Sequence, residues 1–170
     1  TEAWAIYGDL QPKGKSPVSW ESRITSVDDR LQRQNICHTQ DGDLTWTERF
    51  FQGDASTWTE KIIKNLKADM PKLRRLYSEI DSYSLSQIKE LGEAVGNRGI
   101  WGVSIATPGL QYWMNYFEGG LEAATYAMID EPELFDELCS LLERQQEQLT
   151  EICCKEKVES ILTGGSGSIT

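Results

Sequence analysis

Two apolar runs decide how this chain is read: Gly99-Ile-Trp-Gly-Val-Ser-Ile-Ala106 and Val158-Glu-Ser-Ile-Leu162. The first is short, bounded by Gly and followed by Thr107-Pro108-Gly109, the pattern of a strand buried on both faces. The second ends in a Gly- and Ser-rich stretch from Thr163 to Ser168. Between them lie helical patterns, over Leu110–Phe117 and Leu121–Ile129, then a long helix opened by Asp130-Glu131-Pro132-Glu133 with Asp130 as its cap. On that helix Leu134, Leu138, Leu141, Leu142, Leu149 and Ile152 share a face, while Glu143, Arg144, Gln146 and Glu147 lie off it. Two such strands joined through helices form a parallel pair with a right-handed crossover. Both an open doubly wound sheet and a closed barrel fit that pattern.

Working backwards from Gly99, Gly96-Asn97 stops a helix that carries Ile88, Leu91 and Val95 and is opened by the capping-box pattern Ser84-Leu85-Ser86-Gln87. An earlier helix has Asp69 as its cap and Pro71 in its first turn, with Leu73, Leu76, Tyr77 and Ile80 on one face. The amino half is β-rich. Asp41-Gly42 joins Asn35–Thr39 to Leu44–Phe51 as a hairpin, because both central residues of such a turn need positive φ. Gly53-Asp54 turns the chain again into a strand over Thr57–Ile63, making an antiparallel meander from Arg30 to Ile63. Thr-Trp-Thr-Glu occurs at Thr45–Glu48 and at Thr57–Glu60, an echo that β-propensity and cross-strand packing explain. Gly8 to Pro17 reads as a loop. The domain organisation is one incomplete domain over 1–170, with loop and meander in 1–66 and helices plus a barrel portion in 67–170.

Composition narrows the function classes. The chain has 170 residues, 39% hydrophobic and 26% charged, with a net charge of −10. That charge repels nucleic acid and anionic membranes, which are bound through clustered Lys and Arg. The densest basic cluster, Lys72, Arg74 and Arg75, reads as a solvated helix face. No apolar run approaches the roughly 18 residues a membrane helix needs. No secretory leader is read at the amino end, so a cytoplasmic protein with reduced thiols is expected. Cys153 and Cys154 are adjacent, Cys139 lies on the same helix out of their reach, and a domain of this size needs no disulfide. Cys37 and His38 are neighbours in a strand and point to opposite faces, which argues against a shared metal.

Several residues resemble the uroporphyrinogen decarboxylase-like superfamily, which includes the heme-pathway decarboxylase and the cobalamin-dependent methyltransferases. Gly102–Pro108 is similar to its Gly- and Pro-containing strand end. Phe117-Glu118-Gly119-Gly120, with Glu122 following, is similar to its Glu-Gly-Gly element. Asp130-Glu-Pro-Glu-Leu134 is similar to its Asp-Pro-Glu-Leu helix start. His38-Thr39-Gln-Asp-Gly42-Asp-Leu44 resembles a hairpin commoner in the methyltransferase branch, and Glu60–Lys64 leading to a Leu-rich helix fits as well. The resemblance runs from His38 onward. It implies an α/β fold, a partial (β/α)8 TIM barrel preceded by the antiparallel β-meander. Because such a barrel takes about 250 residues, the chain is expected to stop before closure.

The resemblance implies an enzyme, either a methyltransferase passing a methyl group from a methyl-corrinoid protein to a thiol or related acceptor, or a carboxy-lyase acting on a tetrapyrrole. The arginine loop by which the decarboxylase binds substrate carboxylates is absent from this sequence, which favours the first. The family's substrate-contacting Tyr falls on Asn115 or Tyr116. The zinc ligands of the methyltransferases, a His-x-Cys and a later Cys, belong to a carboxyl half that this sequence does not contain. No cofactor and no metal ligands are therefore expected here, catalytic residues are not assigned, and this portion by itself is expected to be inactive.

Barrel enzymes bind substrate at the carboxyl ends of their strands. The candidate substrate-binding residues are accordingly Ser104, Thr107, Gln111, Tyr112 and Tyr116. Against this stands the reading in which Trp101, Tyr112 and Trp113 are core and Thr107 caps the next helix. The Thr163–Ser168 stretch could offer backbone N–H groups to an anion, or simply leave the strand. His38 is the one imidazole and the readiest neutral-pH base, yet it sits in the hairpin and reads as a surface or packing residue. Asp28-Asp29, Asp41 and Asp43 read as turn formers. Expected partners are a small-molecule substrate, a corrinoid protein and a second copy in a homo-oligomer. A non-enzymatic module presenting Trp46 and Trp58 to a sugar or protein is the alternative of a different class.

Overall fold

A computed structural model describes residues 4–8, 11–13, 18–27, 30–51, 56–77, 82–106 and 109–163. In chain order the strands and helices are β1 (Trp4–Gly8), β2 (Gln11–Lys13), β3 (Ser19–Val27), β4 (Arg30–Thr39), β5 (Gly42–Phe50), β6 (Thr57–Glu60), α1 (Leu66–Leu76), β7 (Ser82–Ser84), α2 (Ser86–Val95), β8 (Gly99–Ile105), α3 (Leu110–Trp113), α4 (Gly120–Asp130), α5 (Pro132–Lys155) and β9 (Ser160–Thr163). The architecture is mixed α/β, and no closed barrel is formed by the described residues. The chain divides into two compact units. One takes Thr1–Ser16, Glu79–Pro108 and Leu142–Thr170; the other takes Pro17–Ser78 and Gly109–Leu141.

The first unit holds a three-stranded parallel sheet in the order β1-β8-β9. The expected parallel pairing of the two apolar runs is present, with Val103 opposite Ile161 and Ser104 opposite Leu162. β1 joins as a third parallel strand that sequence reading places in no element. The helices cover one face only. Val103, fully buried, packs with Tyr83, Leu85, Ile88 and Cys153, and Trp101, Ile105, Leu149, Ile152 and Ile161 close around them. On the opposite face Ile100 and Leu162 are 48% and 43% exposed. Burial on both faces was the expectation for β8; the second face is open because no described helix or strand packs on it. Gly102 is needed on that open face, since a Cβ there would lie 2.2 Å from the Ser160 carbonyl oxygen and 2.9 Å from the Tyr7 ring. α2 starts at Ser86 with Leu85 as its cap, so the capping box does not form; Ser84 Oγ instead accepts the Ser86 N–H at 3.3 Å. Gly96 ends α2 at φ 50° and ψ −135°, a positive-φ conformation that favours glycine but is not the αL cap.

The second unit is built on an antiparallel sheet in the order β3-β4-β5-β6. A hairpin forms here, but not with both Asp41 and Gly42 at positive φ as expected: Gln40 and Asp41 make the turn, Thr39 stands opposite Gly42, and Gly42 alone of the pair takes positive φ, at 115°. The Gly53-Asp54 turn lies outside the described residues. β3 extends the meander by one strand; its Ser, Glu and Arg content hides it from an apolar-run reading. The Thr-Trp-Thr-Glu echo is a cross-strand arrangement: Thr45 and Thr47 each donate an O–H to Glu60, both at 2.7 Å. Burial pushes Glu60 up, but those hydrogen bonds and Lys64 outweigh it and hold the carboxyl below its ordinary value.

Three helix expectations are corrected. Asn65, not Asp69, caps α1, accepting the Ala68 N–H at 2.9 Å. Pro71 therefore lies inside the helix, and Asp69 caps from within, accepting the N–H groups of Lys64 and Asn65 at 2.9 and 3.0 Å. α3 is one turn rather than eight residues. The N–H of Ile63 is bonded to the Tyr116 carbonyl at 2.9 Å, and Ile63 in turn accepts the Glu118 N–H at 2.8 Å, which draws the chain into a bridge instead of a longer helix. Asp130 ends α4 rather than capping α5, which begins at Pro132.

Candidate functional site

At the carboxyl ends of β8 and β9, the side facing α5 opens into a cleft of about 820 Å³. Ile105, Ala106 and Thr163 form its strand wall; Glu143, Gln146, Glu147, Thr150 and Glu151 form its helix wall. Glu143, Glu147 and Glu151 recur every fourth residue and so make one acidic row along α5. Gln146 is the fixed point of this wall. It was placed off the buried face of α5, yet it is 8% exposed. Its side-chain carbonyl accepts the Ala106 N–H at 2.8 Å, satisfying a backbone donor just past the end of β8 that no strand pairs. Thr150 donates to the Gln146 carbonyl at 2.7 Å and thereby orders the next turn of the wall.

Ser104 turns the other way. It is exposed on the face of the parallel sheet that the helices leave open, beside Leu162 and above Gly102. Tyr7, which sequence reading did not select, lies on this face, with its hydroxyl 3.2 Å from Ser160 Oγ. This face therefore presents hydroxyls from three strands around an apolar floor. The signal for Tyr7 is the run Trp4-Ala-Ile-Tyr7 ahead of Gly8, too short to stand out alone.

Thr107 and the Gly164–Ser168 stretch lie outside the described residues. Gln111 falls on α3, its side chain outside the description. Tyr112 and Tyr116 belong to the second unit, where they stack at 4.5 Å in an aromatic group with Tyr77, Trp113 and Trp58. Trp113 is fully buried, and its indole N–H has no acceptor among the described residues. Burial pushes the hydroxyls of Tyr77 and Tyr112 far above the ordinary phenol value, and they are hydrogen-bonded to each other. Neither phenol loses a proton near neutral pH, so this group contributes packing and hydrogen bonds rather than base chemistry. Gly109, at φ 140°, caps α3 with no side-chain bond.

The remaining polar candidates have local partners. His38 Nδ1 is 2.9 Å from Asp43 Oδ1, and Nε2 is 3.5 Å from Glu21 Oε2. The hydrogen bond to Asp43 raises the imidazole above its ordinary value. Asp41 holds Arg75 at 2.8 Å, while Asp28-Asp29 lie outside the described residues. All four cysteines are free. Burial pushes the Cys37 thiol up to about 11, which leaves it unreactive as a thiolate near neutral pH. Among the described residues no group of three or more His, Cys, Asp or Glu could hold a metal ion, so these residues do not fit a zinc centre. Nor is any described helix long and apolar enough to cross a membrane. Trp46 and Trp58 are half-buried, the first edge-on to Trp20 and the second to Tyr116.

No protein-family model, no curated protein and no solved structure matches this chain.

Proposed function

We propose that this chain supplies the first strands of a TIM-barrel enzyme of the uroporphyrinogen decarboxylase-like superfamily, in its methyltransferase branch. The reaction is methyl transfer from a methyl-corrinoid protein to a thiol or related acceptor, in the cytoplasm. The observation that carries this reading is the one-sided parallel sheet. Parallel sheets are normally covered on both faces, and here Ile100, Ser104 and Leu162 are exposed, with no cover among the described residues. The inner wall of a barrel has this character: further strands fill its floor, and its rim at the strand ends carries polar groups. Ser104 then contacts substrate from the rim, beside the Tyr7 and Ser160 hydroxyls of the same face.

Charge separates the two branches. A tetrapyrrole bearing several carboxylates needs cations around it, and the described strands of the open sheet, β1, β8 and β9, carry hydroxyls and apolar groups with no Lys or Arg. A polyanion gains no electrostatic attraction from such a face. A neutral or thiol acceptor has no such need.

The test is an assay of the protein that carries this chain, with methylcobalamin and a thiol, beside an assay of uroporphyrinogen turnover. Transfer without decarboxylation is expected, with Ser104→Ala raising KM by about tenfold through loss of one hydrogen bond to substrate. Decarboxylation alone would move the protein to the other branch, and inactivity in both assays would overturn the reading.

A further inference from the structure

The outer edge of the antiparallel sheet is built to be paired. β3 is nine residues long and bonds to β4 in unbroken register from Ser19 opposite His38 to Val27 opposite Arg30. Its other edge pairs with no strand among the described residues. Natural edge strands are blunted by shortness, Pro, bulges or charged side chains, Lys above all. β3 is long, regular and free of Lys and Pro, and its two charges, Glu21 and Arg23, are of opposite sign and paired with each other. It also exposes apolar surface, with Trp20 at 55% and Ile24 at 68% on one face.

The side chains on this strand are complementary to themselves. In antiparallel pairing, residues facing each other share a face of the sheet, and a twofold axis through one residue fixes the whole register. An axis at Ser22 sets Glu21 of each copy opposite Arg23 of the other, twice over. It also sets Trp20 opposite Ile24 twice on the other face, and Ser19 opposite Thr25. The adjacent symmetric registers set Arg23 against Arg23 or Glu21 against Glu21, like charges directly opposed, which disfavours them. Within one copy Glu21 and Arg23 already meet at 2.6 Å on the same face, so the paired edges would interleave four alternating charges.

We propose that this chain forms a homodimer by adding β3 to β3 of a second copy, antiparallel, about a twofold axis at Ser22, giving a continuous eight-stranded sheet. The occupant of the edge is a second copy rather than another protein because the charge order Glu21-Ser22-Arg23 and the apolar order Trp20-Ser22-Ile24 both match their own reversal at one register. This inference is independent of the proposed activity.

Sedimentation equilibrium of the whole chain tests it. A concentration-dependent dimer is expected. Glu21→Arg and Arg23→Glu singly replace two attractive pairs by two repulsive ones and weaken the dimer about tenfold or more, while the double exchange restores it. A Ser22→Cys variant in a Cys154→Ser background is expected to link the two copies with a short bifunctional thiol reagent. Thr25→Cys is not, because its two copies would stand about 20 Å apart along the strands. Circular dichroism checks that each variant keeps its fold. A monomer at all concentrations, or a dimer that ignores the charge exchange and links through Thr25→Cys as readily as Ser22→Cys, overturns the proposal.

Discussion

Replacing Gly102 by Ala tests whether the parallel sheet of the first unit is assembled as described. Gly102 lies in the middle strand, opposite Tyr7 of β1 and Ser160 of β9. An added Cβ would come 2.2 Å from the Ser160 carbonyl oxygen, 2.9 Å from its carbon and 2.9 Å from Tyr7 Cε1. The tyrosine ring can swing away, but the Ser160 carbonyl is backbone, and relief requires β9 itself to move by about an ångström. Overpacking of this kind costs about 1–3 kcal/mol, and a clash with backbone belongs at the upper end. For a chain of this size, a loss of about 3 kcal/mol lowers the melting temperature by roughly 6–12 °C. Urea denaturation followed by circular dichroism gives the free-energy change directly. Gly96→Ala is the contrasting case: nothing lies within 4 Å of its added Cβ, so its cost is backbone strain alone, at φ 50° and ψ −135°, about 1–3 kcal/mol. If Gly102→Ala cost less than about 0.5 kcal/mol, well below the overpacking range, the close approach of β9 to β8 would be wrong.

Asp69→Ala leaves the N–H groups of Lys64 and Asn65 without their acceptor and is expected to cost about 2 kcal/mol in urea unfolding. Burial pushes the Asp69 carboxyl up, but its hydrogen bonds from Asn65, Lys72 and Lys64 outweigh this and hold it below the ordinary value. Its contribution is thus complete above the unfolded carboxylate range near ~4 and fades as pH falls through the lower folded value, so the gap between variant and parent should close in acid. Native alkylation at pH 8 should modify the exposed Cys154 first and spare Cys37 and Cys153 until denaturant is added; mass spectrometry reads the order, and early labelling of Cys37 would contradict its burial. Gln146→Leu removes the acceptor of the Ala106 N–H and should cost about 1–3 kcal/mol while speeding hydrogen exchange at Ala106; unchanged exchange there would detach the α5 wall from the end of β8.

Part of the candidate site is legible in the sequence. A hydroxyl three residues before Thr107-Pro108, near the end of an apolar run, marks Ser104 as a strand-end group. Spacing puts Glu143, Gln146 and Glu147 off the apolar face of α5, and charge and amide content are all a sequence offers there. The burial of Gln146 depends on where β8 ends, forty residues earlier in the chain. Tyr7 gained its place only through pairing with a strand far along the sequence.

What the sequence alone determined is local: the Asp41-Gly42 hairpin, the Gly96 helix stop and the strand character of Gly99–Ala106 and Val158–Leu162. Each rests on torsional preference or periodicity, which act within a few residues and need no partner. Tertiary structure decided the rest. It set β1 beside β8, made glycine necessary at Gly102, moved the cap of α1 to Asn65 and cut α3 to a turn by drawing residues 116–118 onto Ile63. It also left one face of the parallel sheet open. These outcomes follow from which distant backbone groups compete for the same hydrogen bonds and the same space, a competition no single segment contains.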